Sequence, residues 1–219
     1  YEARDYDDLI RRLDELLDMA RRALITKGIF IEQHKERFMP LDKIYGTDLT
    51  RFFRTIGICG LEEMTMNFEG KHLSEDPQLS IDILNHFREW TRTTQQNTGV
   101  LWNVEMTPAE STASDFGEKD KKLYPDIYVL GTEGSYYQTS MITPPSQEMT
   151  MWERINIDQQ IIPLFTGGTA SRYYLGEHRP SPEVLSMLIQ KIAHNTKITY
   201  FDFAVTFTVC ENAHTFNGV

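Results

Sequence analysis

Between Glu105 and Phe116 the chain reads EMTPAESTASDF, a proline followed by small residues, a carboxylate and hydroxyls. Those residue types at that spacing suit one kind of chemistry, the holding of an anion. Pro108 fixes its own φ and favours the first turn of a helix. Ala109, Ser111, Thr112 and Ala113 are small enough to let a ligand approach the backbone. The free N–H groups of a first helical turn, with the helix dipole behind them, attract phosphate. The hydroxyls of Ser111 and Thr112 would add donors. The same residues also fit an ordinary helix start, with Thr107 as N-cap and Glu110 three positions on as its capping-box partner.

A second candidate is FTGGT, Phe165 to Thr169. Paired glycines permit positive φ and close backbone approach, and they equally make a plain tight turn. No Gly-Lys-Ser/Thr follows, so this is not a P-loop. The histidines at 34, 72, 86, 178, 194 and 214 form no local metal motif. Cys210 and His214 fall where a strand should end, and two residues do not make a zinc site. Cys59 sits at a strand-to-helix corner, where a small buried residue is the ordinary role.

These loops need elements to position them. Leu9, Ile10, Leu13, Leu16, Leu17, Ala20 and Leu24 recur at helical spacing, which predicts a first helix ending near Lys27-Gly28. A short strand from Thr55 to Cys59 should turn at Gly60 into a helix. A longer helix follows, with Pro77 near its start and Gly99 as its stop. GVLWNVEM then reads as a buried strand leading into the motif, and STASDFGEKD as the helix after it. Further on, DIYVLGTEGSYYQTSMITPPS predicts a strand and an extended loop, and QEMTMWERINIDQQIIPLF a helix stopping near Pro163. A short strand should follow the glycine turn, then a helix entered through Ser181-Pro182. ITYFDFAVTFTV should close as a strand. Such alternation is the pattern of an α/β protein with a mainly parallel sheet, and no linker divides the chain.

Composition sets outer limits. The 219 residues carry 22 basic and 32 acidic side chains, a formal charge of −10. That argues against a nucleic-acid-binding module, though not against a local phosphate cradle. Two distant cysteines suit a reducing compartment, and no apolar run reaches membrane-spanning length. A cytoplasmic protein is expected, and the two ends suggest a fragment of something longer.

Five segments, RTIGICGLEE, EMTPAES, YYQTSMITPP, FTGGTASRYYLGE and KITYFDFAVTFTVCENAH, occur in an order and spacing that resemble the anaerobic, class III ribonucleotide reductases. The resemblance runs from Tyr6 to Val219, and TPAES with FTGGT is its most specific part. It implies a ten-stranded α/β barrel of the glycyl radical enzyme type, of which residues 1–219 would be roughly the second half. It implies reduction of ribonucleoside triphosphates to deoxyribonucleotides by radical chemistry. It places the substrate phosphates on Pro108, Ala109, Glu110, Ser111 and Thr112, and puts Thr139 and Ser140 beside the substrate.

Two departures stand out. The family's Thr-Asn-Ser reads Gln138-Thr139-Ser140, and its Cys-x-x-His-Gly is replaced by Cys210-Glu-Asn-Ala-His214-Thr. The resemblance also puts the radical-bearing cysteine, the nucleotide-sensing domain, a four-cysteine zinc site and the glycyl radical loop outside this chain. Neither Cys59 nor Cys210 is given the radical role, and the segment alone is expected to be inactive and prone to associate. Implied partners are a radical-SAM activating enzyme and a second copy of the full-length protein. Two alternatives stay open: another glycyl radical barrel of the formate-lyase kind, or a non-catalytic nucleotide-binding or assembly module.

Overall fold

Asp5 opens the first helix by accepting the Asp8 N–H at 2.8 Å, an N-cap that satisfies one orphan donor. Helix α1 (Tyr6–Gln33) then lays Leu9, Ile10, Leu13, Leu17, Ala20 and Leu24 along the core, while Leu16 faces solvent. It does not stop at Lys27-Gly28. Gly28 lies within the helix, with the Arg54 guanidinium packed against it; a Cβ there would meet Nη2 at 2.7 Å. The computed structural model describes residues 1–131, 134–177, 179–205, 207–210 and 215–217.

Short helices α2 (Lys35–Phe38) and α3 (Asp42–Tyr45) lead to strand β1 (Arg54–Ile58). Gly60, at φ +80°, turns the chain into α4 (Leu61–Glu69), and α5 (Gln78–Thr98) ends at Gly99, φ +70°. Strand β2 (Trp102–Met106) returns parallel to β1 with Ile56 opposite Val104. Two helices between parallel strands make a crossover unit, the connection such pairing requires. Buried Leu79, Ile83, Leu84 and Phe87 on α5 cover this pair together with Trp102 and Val104.

Helix α6 (Glu110–Leu123) follows β2 directly. The strand expected in DIYVLGTEGSYY is reduced to a bridge in which Leu130 and Tyr136 exchange 3.0 Å hydrogen bonds. The reason is local competition. The Asn67 side chain of α4 takes the Tyr128 N–H at 2.8 Å and donates to its carbonyl at 2.9 Å, removing both groups from any ladder.

Helix α7 (Met151–Ile161) passes into a 3-10 turn, Ile162–Leu164, that contains Pro163. Strand β3 (Ser171–Tyr174), helix α8 (Pro182–Asn195) with Ser181 as its cap, and strand β4 (Phe201–Ala204) form a second parallel crossover. The closing strand expected through ITYFDFAVTFTV is interrupted after Ala204, and β5 (Phe207–Val209) pairs antiparallel with β6 (Thr215–Asn217).

The described strands therefore pair in twos rather than in one continuous sheet. FTGGT bridges two of the pairs. Gly167 donates to Val104 O at 2.6 Å and Met106 to Gly168 O at 3.2 Å, beside a parallel bridge between Glu105 and Gly168. A Cβ on Gly167 would meet Val104 O at 2.9 Å, so the glycine serves close approach to β2.

Candidate functional site

Where the first turn of α6 meets β3 and β4, the molecule opens into a cleft of about 720 Å³. Glu110, Ala113 and Ser114 line it from α6, and Tyr136 to Met141 form a facing wall. Arg172, Tyr174 and Asp202 form its floor. Alternation explains the floor: on β3, Ser171 and Tyr173 are buried while Arg172 and Tyr174 point out.

Of the residues marked by the sequence, Glu110, Thr139 and Ser140 come together on this cleft. Pro108 precedes the helix, Ala109 is its N-cap, and Ser111 and Thr112 are exposed residues of its first turn. Ala113 and Ser114 occupy the cleft wall beside Glu110. The predicted capping box does not form. Thr107 donates its N–H to Ile58 O at 3.1 Å, prolonging the β1–β2 pairing, and Ala109 donates to Thr107 O at 3.0 Å. The helix thus begins at Glu110, too late for its carboxylate to cap Thr107, and no side chain caps the turn. Glu110 lines the cleft.

Ser140 holds φ +62°, a left-handed conformation uncommon outside glycine. Met141 donates to Thr139 O at 2.6 Å across it, and the Thr169 hydroxyl donates to Ser140 O at 3.0 Å. FTGGT therefore supports the wall as well as β2. The cation among the lining residues, Arg172, is held by Asp202 through bonds of 2.8 and 2.7 Å. That pairing raises the Arg172 pKa and lowers that of Asp202. With Glu110 added, the cleft has no surplus positive charge. An anion here would depend on backbone N–H groups and hydroxyls.

Sequence reading missed the buried polar groups behind the wall. Arg154 of α7, 7% exposed, donates to Thr143 O and Oγ1, Pro145 O and Gln147 O. Glu62 and Glu63 of α4 are fully buried, and Asp158 accepts from Ser171 Oγ at 2.7 Å and Tyr173 Oη at 2.9 Å. Burial pushes Asp158 up and Glu63 to about 7, with the Glu62 charge adding to the latter. Charged residue types normally mark solvent, so only the Glu62-Glu63 pair directly after a glycine corner offered a signal.

Cys59 is half-buried, and burial with the nearby Glu63 charge raises its pKa, so it remains a thiol at neutral pH. Neither it nor Cys210 lines the cleft. His178 and His214 lie outside the described residues. No group of three or more His, Cys, Asp or Glu positioned for a metal occurs among those described. Nor is any described helix long and apolar enough to cross a membrane.

The fold recurs in solved anaerobic ribonucleotide reductases. It superposes on the Thermotoga maritima anaerobic ribonucleotide reductase with MES in the active site at a TM-score of 0.82 and 24% identity. That match covers 98% of this chain and 36% of the other. The same enzyme in complex with dATP and CTP gives 0.81 and 23%, covering 97% and 35%. In sequence, the anaerobic ribonucleoside-triphosphate reductase of Haemophilus influenzae is 26% identical over 187 residues, 76% of this chain and 26% of that protein. The Escherichia coli counterpart is 26% identical over 176 residues, covering 71% and 24%. The family of anaerobic ribonucleoside-triphosphate reductases matches residues 1–219, and the chain belongs to it. It spans about a quarter of the length of these curated relatives.

Proposed function

We propose that the natural protein carrying this chain reduces ribonucleoside triphosphates to deoxyribonucleotides, and that this segment holds the substrate phosphates. One observation carries the reading. In a chain of this family, an uncapped helix start meets a hydroxyl-bearing wall across a nucleotide-sized cleft. The N–H groups of Ser111 and Thr112 receive the phosphates, with Pro108 and Ala109 setting the entry of the turn. Thr139 and Ser140 stand across the cleft, whose α6 side is lined by Glu110, Ala113 and Ser114. Glu110 sets direction: its carboxylate repels phosphate and accepts from neutral hydroxyls, so the sugar lies on its side. The CTP complex of the Thermotoga maritima relative supports a nucleotide ligand.

A glycyl radical, carried outside these residues, would supply the radical that starts chemistry at the ribose. An external reductant, formate or a small redox protein, would supply the two electrons of the net reduction. This chain's part is to bind and orient, and neither Cys59 nor Cys210 takes a radical step. In this reading residues 1–219 form part of a ten-stranded barrel. The parent protein is cytoplasmic and dimeric, and a radical-SAM enzyme activates it.

Calorimetry with CTP on the longest natural polypeptide carrying this sequence tests the cradle. Ser111→Asp should nearly abolish binding by placing a charge at the N–H groups, whereas Thr112→Ala, losing one hydroxyl, should weaken it about tenfold or less. Unchanged affinity in Ser111→Asp would place the phosphates elsewhere.

A further inference from the structure

We propose that Glu62 and Glu63, adjacent at the start of α4, are positioning residues that clamp the segment carrying the cleft wall at two points, Gln138 within the wall and Gln147 beyond it. Neither carboxylate touches the cleft, and both are sealed from solvent, at 0% and 1% exposure. Glu63 Oε1 accepts the Gln138 N–H at 2.7 Å, while Gly60 at the head of the same helix donates to Gln138 O at 2.8 Å. Both polar groups of the Gln138 backbone are thereby fixed to one corner. At the other end, Glu62 Oε1 accepts from Gln147 Nε2 at 2.8 Å and His72 Nδ1 at 2.5 Å; its Oε2 takes the Leu73 N–H at 3.1 Å.

Between the clamps lie Thr139 and the strained Ser140, whose conformation persists only if its surroundings over-determine it. Two neighbouring carboxylates on one rigid helix start do this, because the span between their partners cannot change without breaking a buried charge-assisted bond. The clamp acts on the wall whatever the cleft binds, so it stands apart from the phosphate reading.

Glu63 Oε2 has no hydrogen-bond partner, which is where a proton can reside. The groups facing it are Glu62 on its own helix, Cys59 at the corner, Tyr137 on the wall and, through a 2.7 Å bond from Tyr137, Asp120 of α6. Tyr128 senses the same two carboxylates. None of these supplies positive charge, consistent with a Glu63 pKa raised to about 7. An ionised carboxylate accepts more strongly than a neutral carboxyl, so the Gln138 clamp tightens as pH rises through that value.

Amide hydrogen exchange in the ligand-free, longest natural polypeptide tests this, using residues 136–147 as the readout. After correction for intrinsic base catalysis, wild-type protection at Gln138 should rise through about pH 7. In Glu63→Gln, exchange at 138–141 should quicken about fivefold above pH 7 and the pH step should vanish. Glu62→Gln should loosen 143–147 and Leu73 instead, leaving Gln138 protected. A wild-type protein with no pH step at Gln138 overturns the proposal without any variant. So does a Glu63→Gln protein whose exchange rises uniformly across the chain or stays as in the wild type.

Discussion

Helix α1 and the segment 136–147, which carries the cleft wall, are held by opposite means. The helix owes its place to an apolar stripe, and its charges are paired at the surface. Asp8 is screened from solvent by the guanidinium groups of Arg4, Arg11 and Arg12 rather than by core, and those partners hold its pKa well below the usual range. The wall has no regular structure over most of its length. Carboxylates and a guanidinium, buried behind it, fix it in place. A regular element satisfies its own backbone, so its charges are free to face water. An irregular wall must borrow partners, and only buried side chains can supply them without solvent competing.

The largest contrast should come from Arg154. Arg154→Ala leaves the acceptors of Thr143, Pro145 and Gln147 without their donor, and should cost about 3–4 kcal/mol in chemical denaturation. A loss no greater than that of an ordinary surface substitution would break the distinction between the two regions.

Next is the pH dependence set by Glu63. An unfolded chain ionises this carboxyl near its ordinary 4.5, while the folded protein keeps the proton until about 7. Between those values the folded form binds more protons, so this contribution to stability is present at low pH and is lost as pH rises through the window. Its full size is on the order of 3 kcal/mol. Comparing wild type with Glu63→Gln from pH 4.5 to 8 isolates it, since the variant should lack this component.

Salt should give the smallest effect and sharpen the contrast. At about 1 M salt the screening length falls to about 3 Å, so exposed pairs such as Arg11–Glu15 and Arg21–Asp18 weaken. Amide exchange in α1 should quicken slightly while that at 138–147 stays constant. Equal response in both regions would show that the wall's charges are not shielded.

Sequence legibility follows the same divide. Period gave away α1, α5 and α8, and punctuation the stop of α5 at Gly99 and the start of α8 at Ser181-Pro182, because burying a stripe leaves a spacing and a helix end leaves its own residues. They failed where a side chain took over a backbone's role. Asn67 prevents the strand at Tyr128, and Gly28 is a packing site for Arg54 rather than a stop. The capping box is the clearest case. Thr150 and Glu153 form one with the same spacing as Thr107 and Glu110, which do not. Thr150 enters its helix from a loop; Thr107 is still committed to Ile58 at the end of a parallel pair. Of the residues marked from sequence, Glu110, Thr139 and Ser140 line the cleft while Pro108, Ala109, Ser111 and Thr112 do not, and Arg172 and Asp202 meet only through strand register.

In the function proposed above, the uncapped start of α6 and the clamped wall together receive a triphosphate. A crystal of the longest natural polypeptide with a γ-thio ribonucleoside triphosphate tests it most directly, because anomalous scattering from the sulfur fixes the phosphate end. Phosphate oxygens should lie within hydrogen-bonding reach of the Ser111 and Thr112 N–H groups, with Thr139 and Ser140 across the cleft. A triphosphate seated on another face, with the α6 start left to solvent, would contradict it.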